Sequence, residues 1–327
     1  MDLLIPGLGK FRQDAGLVAL ERCSDGLHAP GSRGVVSVVA TGDRKVEFIC
    51  YEDRTLAYVH SAMGYPAYYP VLPVELERPV KAVLMDLDGT TVRSEEFWIW
   101  IIGRTIASLM GSESFDFEQE DLLHVSGHSV SEHLNYCIRK YCPDKALKDA
   151  RDWYFRHTHA EMEAIMAGHG RKGAFAPAPG IKEFLLELKA SGVKIGLVTS
   201  GLYEKAYPEI VSAFNTLGMG DPKDFYDGII TSGYPLRAGS VGTLGELCPK
   251  PHPWLYAEMC RAGLGIDFAD RGRVVGIEDS GAGVCSIRLA GFTALGIGGG
   301  NIAESGTGAL CAQVFDSFPQ IMEYIRG

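Results

Sequence analysis

From residue 181 to the C-terminus the sequence alternates between helical and strand character. Helices are expected over 181–191, 203–217, 253–262, 282–290 and 319–326, with strands over 193–199, 228–231, 273–277 and 293–297. The strands read as short, nearly continuous apolar runs, as expected of strands covered on both faces. Such alternation requires crossover connections, and these generate a mostly parallel sheet flanked by helices. This feature narrows the fold most, because a doubly wound α/β core collects the C-terminal tips of its strands along one crevice.

One further strand belongs in that sheet. Lys-Ala-Val-Leu-Met-Asp-Leu-Asp-Gly-Thr-Thr, residues 81–91, contains a short apolar run that ends abruptly in acid at Asp86 and Asp88, followed by Gly89. Carboxylates two positions apart point to one side of an extended chain, so both can face a ligand beyond the strand end. Alone, the stretch reads equally well as an Asp-Gly hairpin turn.

Between this strand and the alternating half lies a block of helical pattern with no strand candidate. Ser94 is expected to cap a helix that starts with Glu95 and Glu96 and stops at Gly111, and further helices are expected over 117–125, 130–141 and 145–166. The block ends at Ala176-Pro177-Ala178-Pro179-Gly180, a stiff linker suited to a hinge. Residues 1–80 differ from both regions. They carry β-branched and aromatic runs at 34–40, 45–51 and 56–60 separated by turn formers, then a proline- and tyrosine-rich stretch, 65–74, expected as an extended connection. The expected division is a β-rich extension at 1–80, a core at 81–93 and 177–327, and an inserted all-α domain at 94–176. The extension contains no chemical motif and is expected to pack on the core or on a second subunit, giving a homo-oligomer in the latter case.

Composition limits the partners. A formal charge of -10 argues against nucleic acid while leaving small anions open. The longest apolar run, 97–102, is far shorter than the roughly 20 residues that cross a bilayer. Eight dispersed cysteines with no two-residue spacing fit reduced thiols, and the N-terminus has no basic segment followed by an apolar one, so a cytoplasmic protein is expected.

Polar residues recur where the strands end. The strand over 193–199 runs into Thr199-Ser200-Gly201, where a hydroxyl and backbone N–H groups suit an oxyanion, or a helix cap. Lys250 stands between Pro249 and Pro251, which restrict its backbone, and a fixed cation suits phosphate; His252 beside it is expected to cap or pack. The strand over 273–277 delivers Glu278-Asp279-Ser280. Acids on neighbouring tips repel one another unless a hard cation with oxygen ligands sits among them. These are the parts of phosphoryl transfer: Asp86 as nucleophile, Asp88 as acid and base, and a lysine with Mg2+ to offset the repulsion between carboxylate and phosphate.

Taken in order, Asp86-Leu87-Asp88-Gly89-Thr90, Thr199-Ser200, Lys250-Pro251 and Glu278-Asp279-Ser280 resemble the four motifs of the haloacid dehalogenase superfamily of phosphohydrolases. The resemblance runs from about residue 81 to the C-terminus. It implies a Rossmann-like core, Asp86 as nucleophile, Asp88 as acid/base, Thr199 as the hydroxyl of the second motif and Lys250 as the phosphate lysine. It further implies Mg2+ held by Asp86, Asp279 and the backbone carbonyl of Asp88, with Glu278 supporting the metal from behind. The helical insert is similar to the cap of the β-phosphoglucomutase-like branch. Ser200 and the loop residues Gly127, His128 and Ser129 are accordingly expected at the substrate. Two departures bear on the substrate: Arg93 stands where relatives often have an acid, and residues 234–247 lengthen the approach to Lys250.

Other patterns carry less. His124, His128 and His133 are not aligned as a metal set, His157 and Glu161 read as a solvated pair one helical turn apart, and Gly298-Gly299-Gly300-Asn301 reads as a turn. The expected activity is Mg2+-dependent hydrolysis of a small phosphorylated metabolite such as a sugar or polyol phosphate. A phosphomutase is the alternative, and a non-catalytic phospholigand sensor is the reading from another class.

Overall fold

The computed structural model describes residues 34–60, 66–123, 130–231 and 248–327, together with the backbone of four short strands nearer the N-terminus. Those strands form two antiparallel pairs, β1 (Leu3–Ile5) with β2 (Gly9–Phe11) and β3 (Leu20–Arg22) with β4 (His28–Pro30). An antiparallel sheet follows in the order β5 (Val35–Ala40), β6 (Val46–Tyr51), β7 (Thr55–Val59), β8 (Ala67–Val71). The expected connection over 65–74 thus contains the fourth strand. Pro70 is compatible with it because β8 lies at the sheet edge, where a missing ladder donor is tolerated.

The core strands are β9 (Ala82–Asp86), β12 (Lys194–Thr199), β13 (Gly228–Thr231), β14 (Val274–Glu278), β15 (Thr293–Ile297) and β16 (Gln313–Phe315), where β10 (Val92–Arg93) and β11 (Ala176–Pro177) frame the helical insert. The six core strands form one parallel sheet in the order β13-β12-β9-β14-β15-β16. All five residues of β9 are buried, as expected of a central strand. From β9 the chain builds outward through β12 and β13, then returns to the other side of β9 to build β14, β15 and β16. The reversal leaves a crevice beyond the tips of β9, β12 and β14, which is where open α/β sheets bind ligands. β16 escapes a sequence reading because it has only three residues, two of them exposed.

The insert contains α1 (Glu95–Met110), α2 (Val130–Tyr141) and α3 (Leu147–Met166), and its two chain connections run side by side because β10 pairs antiparallel with β11. The Phe97 and Phe175 rings, 4.2 Å apart, and buried Ile101 and Tyr154 fill its interior. Of the helix expected over 117–125, the described part, 117–123, contains a 3-10 turn over Gln119–Leu123. The remaining helices are α4 (Ile181–Ala190), α5 (Tyr203–Leu217), α6 (Pro222–Phe225), α7 (Trp254–Glu258), α8 (Gly281–Leu289) and α9 (Phe318–Arg326). The helix expected over 253–262 splits, since α7 widens into a π-helical turn over Met259–Gly263.

The β5–β8 sheet lies on the core: Val46, Ala57 and Val59 pack against Cys285 and Leu289 of α8. Among the described residues no helix is long and apolar enough to cross a membrane.

Candidate active site

Two neighbouring strand tips deliver three acids. Asp86 ends β9, Glu278 ends β14, Asp279 follows it, and all three are buried. Their carboxylate oxygens approach within 4.8 Å of one another. Lys250, on the segment leading into α7, places its ammonium between Asp86 Oδ1 and Glu278 Oε1 and donates to the Val198 carbonyl at 3.2 Å. Its backbone N–H donates to Ser200 Oγ at 3.1 Å. Ser200 therefore holds the lysine loop, and its hydroxyl keeps a proton to donate, so the expected substrate contact stands as a proposal. Thr199 Oγ1, at the tip of β12, accepts from the Gly201 N–H at 3.0 Å, whereas the helix cap that the sequence also allowed is not made, since α5 follows Leu202 with no side-chain cap bond.

Glu278 is fully committed. Oε1 accepts from Lys250 and from Tyr256 OH at 2.8 Å, and Oε2 accepts from Ser280 Oγ at 2.9 Å. The backbone at Gly283 passes so close that a Cβ there would lie 1.9 Å from Glu278 Oε1. Asp279 instead has one long contact, from Thr90 Oγ1 at 3.4 Å, and is walled by two glycine backbones. A Cβ at Gly89 or Gly300 would fall 2.1 or 2.5 Å from its Oδ2. Gly89 also has a φ of 83°, which the tight turn after β9 requires.

The alternation of an extended chain stops at Asp86. Asp88 lies in the turn, bridged to Val92, and is exposed at the mouth of the crevice. Its Oδ1 accepts from Ser94 Oγ at 2.7 Å. Ser94 is the N-cap residue of α1 by position but makes no side-chain cap bond, because its hydroxyl serves Asp88. Glu209 of α5 also faces Asp88. It is buried, its Oε1 has no hydrogen-bond partner, and burial together with the Asp88 charge pushes its carboxyl well above the ordinary range. An acid inside an apolar helical stretch gave no sequence signal for either contact.

The electrostatics are those of a site short of positive charge. Burial, then Glu278 and Asp279, push the Asp86 carboxyl well above the usual carboxylate range despite Lys250. Burial and Glu278 push Asp279 up to about 7. Burial works against the Lys250 charge, but Asp86 and Glu278 outweigh it and hold the ammonium above the ordinary lysine range. One lysine among three buried carboxylates leaves net negative charge, and the Asp279 oxygens are free to accept more, so the donor set suits a hard divalent cation.

Among the described residues a second acidic cluster meets the same distance criterion, Glu118, Glu120 and Asp121 in the helical insert. Lys140 bonds all three, at 2.7, 2.8 and 2.8 Å. A cavity of about 520 Å³ lies elsewhere, between α3 and α5, lined by Met162, Met166, Tyr203 and Tyr207, and none of the strand-tip acids reaches it.

The other sequence candidates separate clearly. Gly127, His128, Ser129 and His124, like the stretch 234–247, lie outside the described residues. His157 and Glu161 are not a pair: His157 Nε2 lies 2.8 Å from Ser108 Oγ, and Glu161 accepts from Arg104 at 2.7 Å, so both tie α3 to α1. Burial lowers the pKa of His252, whose Nδ1 lies 2.7 Å from Tyr69 OH, consistent with packing. Residues 298–301 do form a turn, yet this turn supplies the wall behind Asp279, and Gly281 N donates to Asn301 Oδ1 at 2.8 Å. Arg93 reaches that turn, since a Cβ at Gly299 would lie 2.5 Å from its Nη1.

A family model of haloacid dehalogenase-like hydrolases matches residues 80–291. Among curated proteins, glyceraldehyde 3-phosphate phosphatase of Methanocaldococcus jannaschii is 26% identical over 167 residues, 47% of this chain and 62% of the relative. The match thus spans less than two thirds of that relative's length. A predicted phosphoglycolate phosphatase from Haemophilus somnus 129pt superposes with a TM-score of 0.55 at 17% identity, over 75% of this chain and 97% of its own. A putative β-phosphoglucomutase from Thermotoga maritima gives 0.53 at 17% identity, over 75% and 99%. CbbY from Rhodobacter sphaeroides, crystallised with phosphate, gives 0.51 at 20% identity, over 74% and 96%. At these identities the structural likeness establishes the fold. The family match covers 212 of the 327 residues, takes in Asp86, Lys250, Glu278 and Asp279, and leaves the β5–β8 sheet outside it. The chain belongs to the haloacid dehalogenase-like hydrolases.

Proposed function

We propose that this protein is a Mg2+-dependent phosphatase that hydrolyses a small phosphate monoester, a sugar or polyol phosphate, through an aspartyl-phosphate on Asp86. The observation that carries this reading is the buried Asp86 carboxylate, joined to Lys250 and within 4.8 Å of the Asp279 oxygens at the switch point of the sheet. The curated relative supports the class, since its name describes a phosphatase acting on a small phosphorylated aldehyde.

Lys250 would bind a non-bridging phosphate oxygen, with Glu278 and Ser200 fixing the lysine from either side. An Asp86 carboxylate oxygen attacks phosphorus as the ester P–O bond breaks, and Asp88 gives its proton to the departing alkoxide. Asp88, now a carboxylate, takes a proton from the incoming water. That water's oxygen bonds to phosphorus, the Asp86–phosphorus bond breaks and inorganic phosphate leaves. Bound Mg2+, held by Asp86, Asp279 and the Asp88 backbone carbonyl, would supply the charge that lets a carboxylate approach a phosphate dianion. Ser94 keeps the Asp88 carboxylate at the crevice mouth. The loop with Gly127, His128 and Ser129 is proposed to meet the leaving group.

The test is release of inorganic phosphate from a panel of sugar and polyol phosphates, with Mg2+ and with chelator. Turnover that requires Mg2+ is expected. Return of the phosphoryl group to another hydroxyl of a hexose phosphate would point to a mutase instead.

A further inference from the structure

The β5–β8 sheet lies outside the family match, and none of its described side chains belongs to the acid cluster. It nevertheless touches two segments that form the site. The first is the lysine loop. Tyr69 of β8 places its hydroxyl 2.7 Å from His252 Nδ1, and its ring meets His252 and Trp254 edge-on at 5.7 and 6.1 Å. His252, two residues beyond Lys250, is buried. Its N–H closes a turn around Lys250 by donating to the Pro249 carbonyl at 3.1 Å, and its own carbonyl accepts from Ser286 Oγ of α8 at 2.6 Å. The turn that presents Lys250 is therefore clamped between α8 and β8.

The second segment is the wall behind Asp279. In the β5–β6 turn, Gly42 N donates to the Ser305 carbonyl at 2.9 Å. The approach is close enough that a Cβ at Gly42 would lie 2.4 Å from the Glu304 carbonyl oxygen. Ser305 in turn backs the start of α8, since a Cβ at Gly281 would lie 2.2 Å from Ser305 Oγ. The same loop begins at Gly300, against Asp279.

A lysine has four rotatable carbons and is useful to a phosphate only when its ammonium is held in place, so a support behind its backbone turn has direct kinetic value. We propose that the β5–β8 sheet is a buttress built onto the active site, and that Tyr69 is a positioning residue acting on Lys250 through His252. The inference rests on the reading of Lys250 as the phosphate ligand.

The experiment compares Tyr69→Phe, which removes one hydroxyl, with Tyr58→Phe on the same sheet, whose ring meets His60 edge-on and lies tilted against Tyr68 instead. Amide exchange at Lys250, His252 and Trp254 is followed without substrate, alongside kcat/KM and inhibition by inorganic phosphate. Tyr69→Phe is expected to speed exchange at these amides, and to weaken kcat/KM and phosphate inhibition together by about tenfold, well inside the hundredfold cost of a misplaced reacting group. Tyr58→Phe is expected to match the wild type in all three. A merely structural tyrosine would lower Tm and leave phosphate inhibition of the folded protein unchanged, and that result overturns the proposal, as does unchanged exchange in Tyr69→Phe. Because exchange needs no turnover, a wild type unable to release phosphate would count against the phosphatase reading while the exchange still decides the buttress.

Discussion

Among the described residues two places gather three carboxylates around one lysine, and they are electrostatic opposites. In the helical insert, Lys140 bonds Glu118, Glu120 and Asp121, and Asp121 also accepts from Tyr136, Tyr141 and the Glu118 N–H. Burial there is outweighed by those donors, so Asp121 is held well below the ordinary carboxylate range. At the strand tips, Lys250 is shared by Asp86 and Glu278 while Asp279 has a single long hydrogen bond, and burial drives Asp86 and Asp279 upward. Composition and spacing do not separate the two clusters. What separates them is how many donors each buried carboxylate meets: Asp121 is fully bonded, and Asp279 keeps acceptor capacity that suits a cation.

Removing metal should show the contrast most strongly. Chelation is expected to abolish turnover while leaving the fold intact, and Mg2+ added to chelated protein should raise Tm in the wild type and in Asp121→Asn, but not in Asp279→Asn. Thermal melts with and without Mg2+ check this. Next in size are the lysines. Lys250→Met is expected to lower kcat about 10²–10³-fold, the usual cost of removing a donor aimed at a reacting oxyanion. Lys140→Met should leave kcat unchanged and lower Tm by a few degrees. Steady-state kinetics on both variants would reverse the assignment if Lys140 proved the more costly to lose.

Smaller effects sharpen the comparison. Ser94→Ala should lower kcat by about tenfold or less, since it removes one hydrogen bond from a general acid and leaves the carboxyl in place. The two clusters should also respond to pH with opposite sign. Asp279 titrates near 7 in the metal-free fold against an ordinary 3.8, so the fold binds the extra proton between those values. Its contribution to stability is complete below about pH 4 and lost as pH rises to about 7. Asp121 is depressed, so its contribution is present above the ordinary carboxylate range and lost as pH falls below it. In chelator, Tm should therefore fall between about pH 5 and pH 7.5 in the wild type and in Asp121→Asn, with a shallower slope in Asp279→Asn. An equal slope in all three would remove Asp279 from the account.

Much of the core was legible because its signals are local. Apolar runs ending in acid announced the tips of β9 and β14, and prolines on both sides marked Lys250 as constrained. What escaped depended on contacts between distant residues. Ser94 has every local mark of a helix cap, but the turn after β9 brings Asp88 to its hydroxyl. Gly300 reads as a turn glycine, and only the pairing of β14 with β15 shows that its backbone must clear Asp279. Tyr69 and His252 are 183 positions apart, so no spacing rule connects them. The loop at 124–129 lies outside the described residues, so the expectation for Gly127, His128 and Ser129 stands as a proposal.

The most direct test of the central claim is acid quenching of the enzyme during turnover of a phosphate ester with Mg2+, followed by peptide mass spectrometry. The account predicts a phosphoryl group on the peptide containing Asp86 in the wild type, and neither that adduct nor phosphate release in Asp86→Asn. Steady turnover by Asp86→Asn, or a phosphoryl group on any other residue, would contradict it.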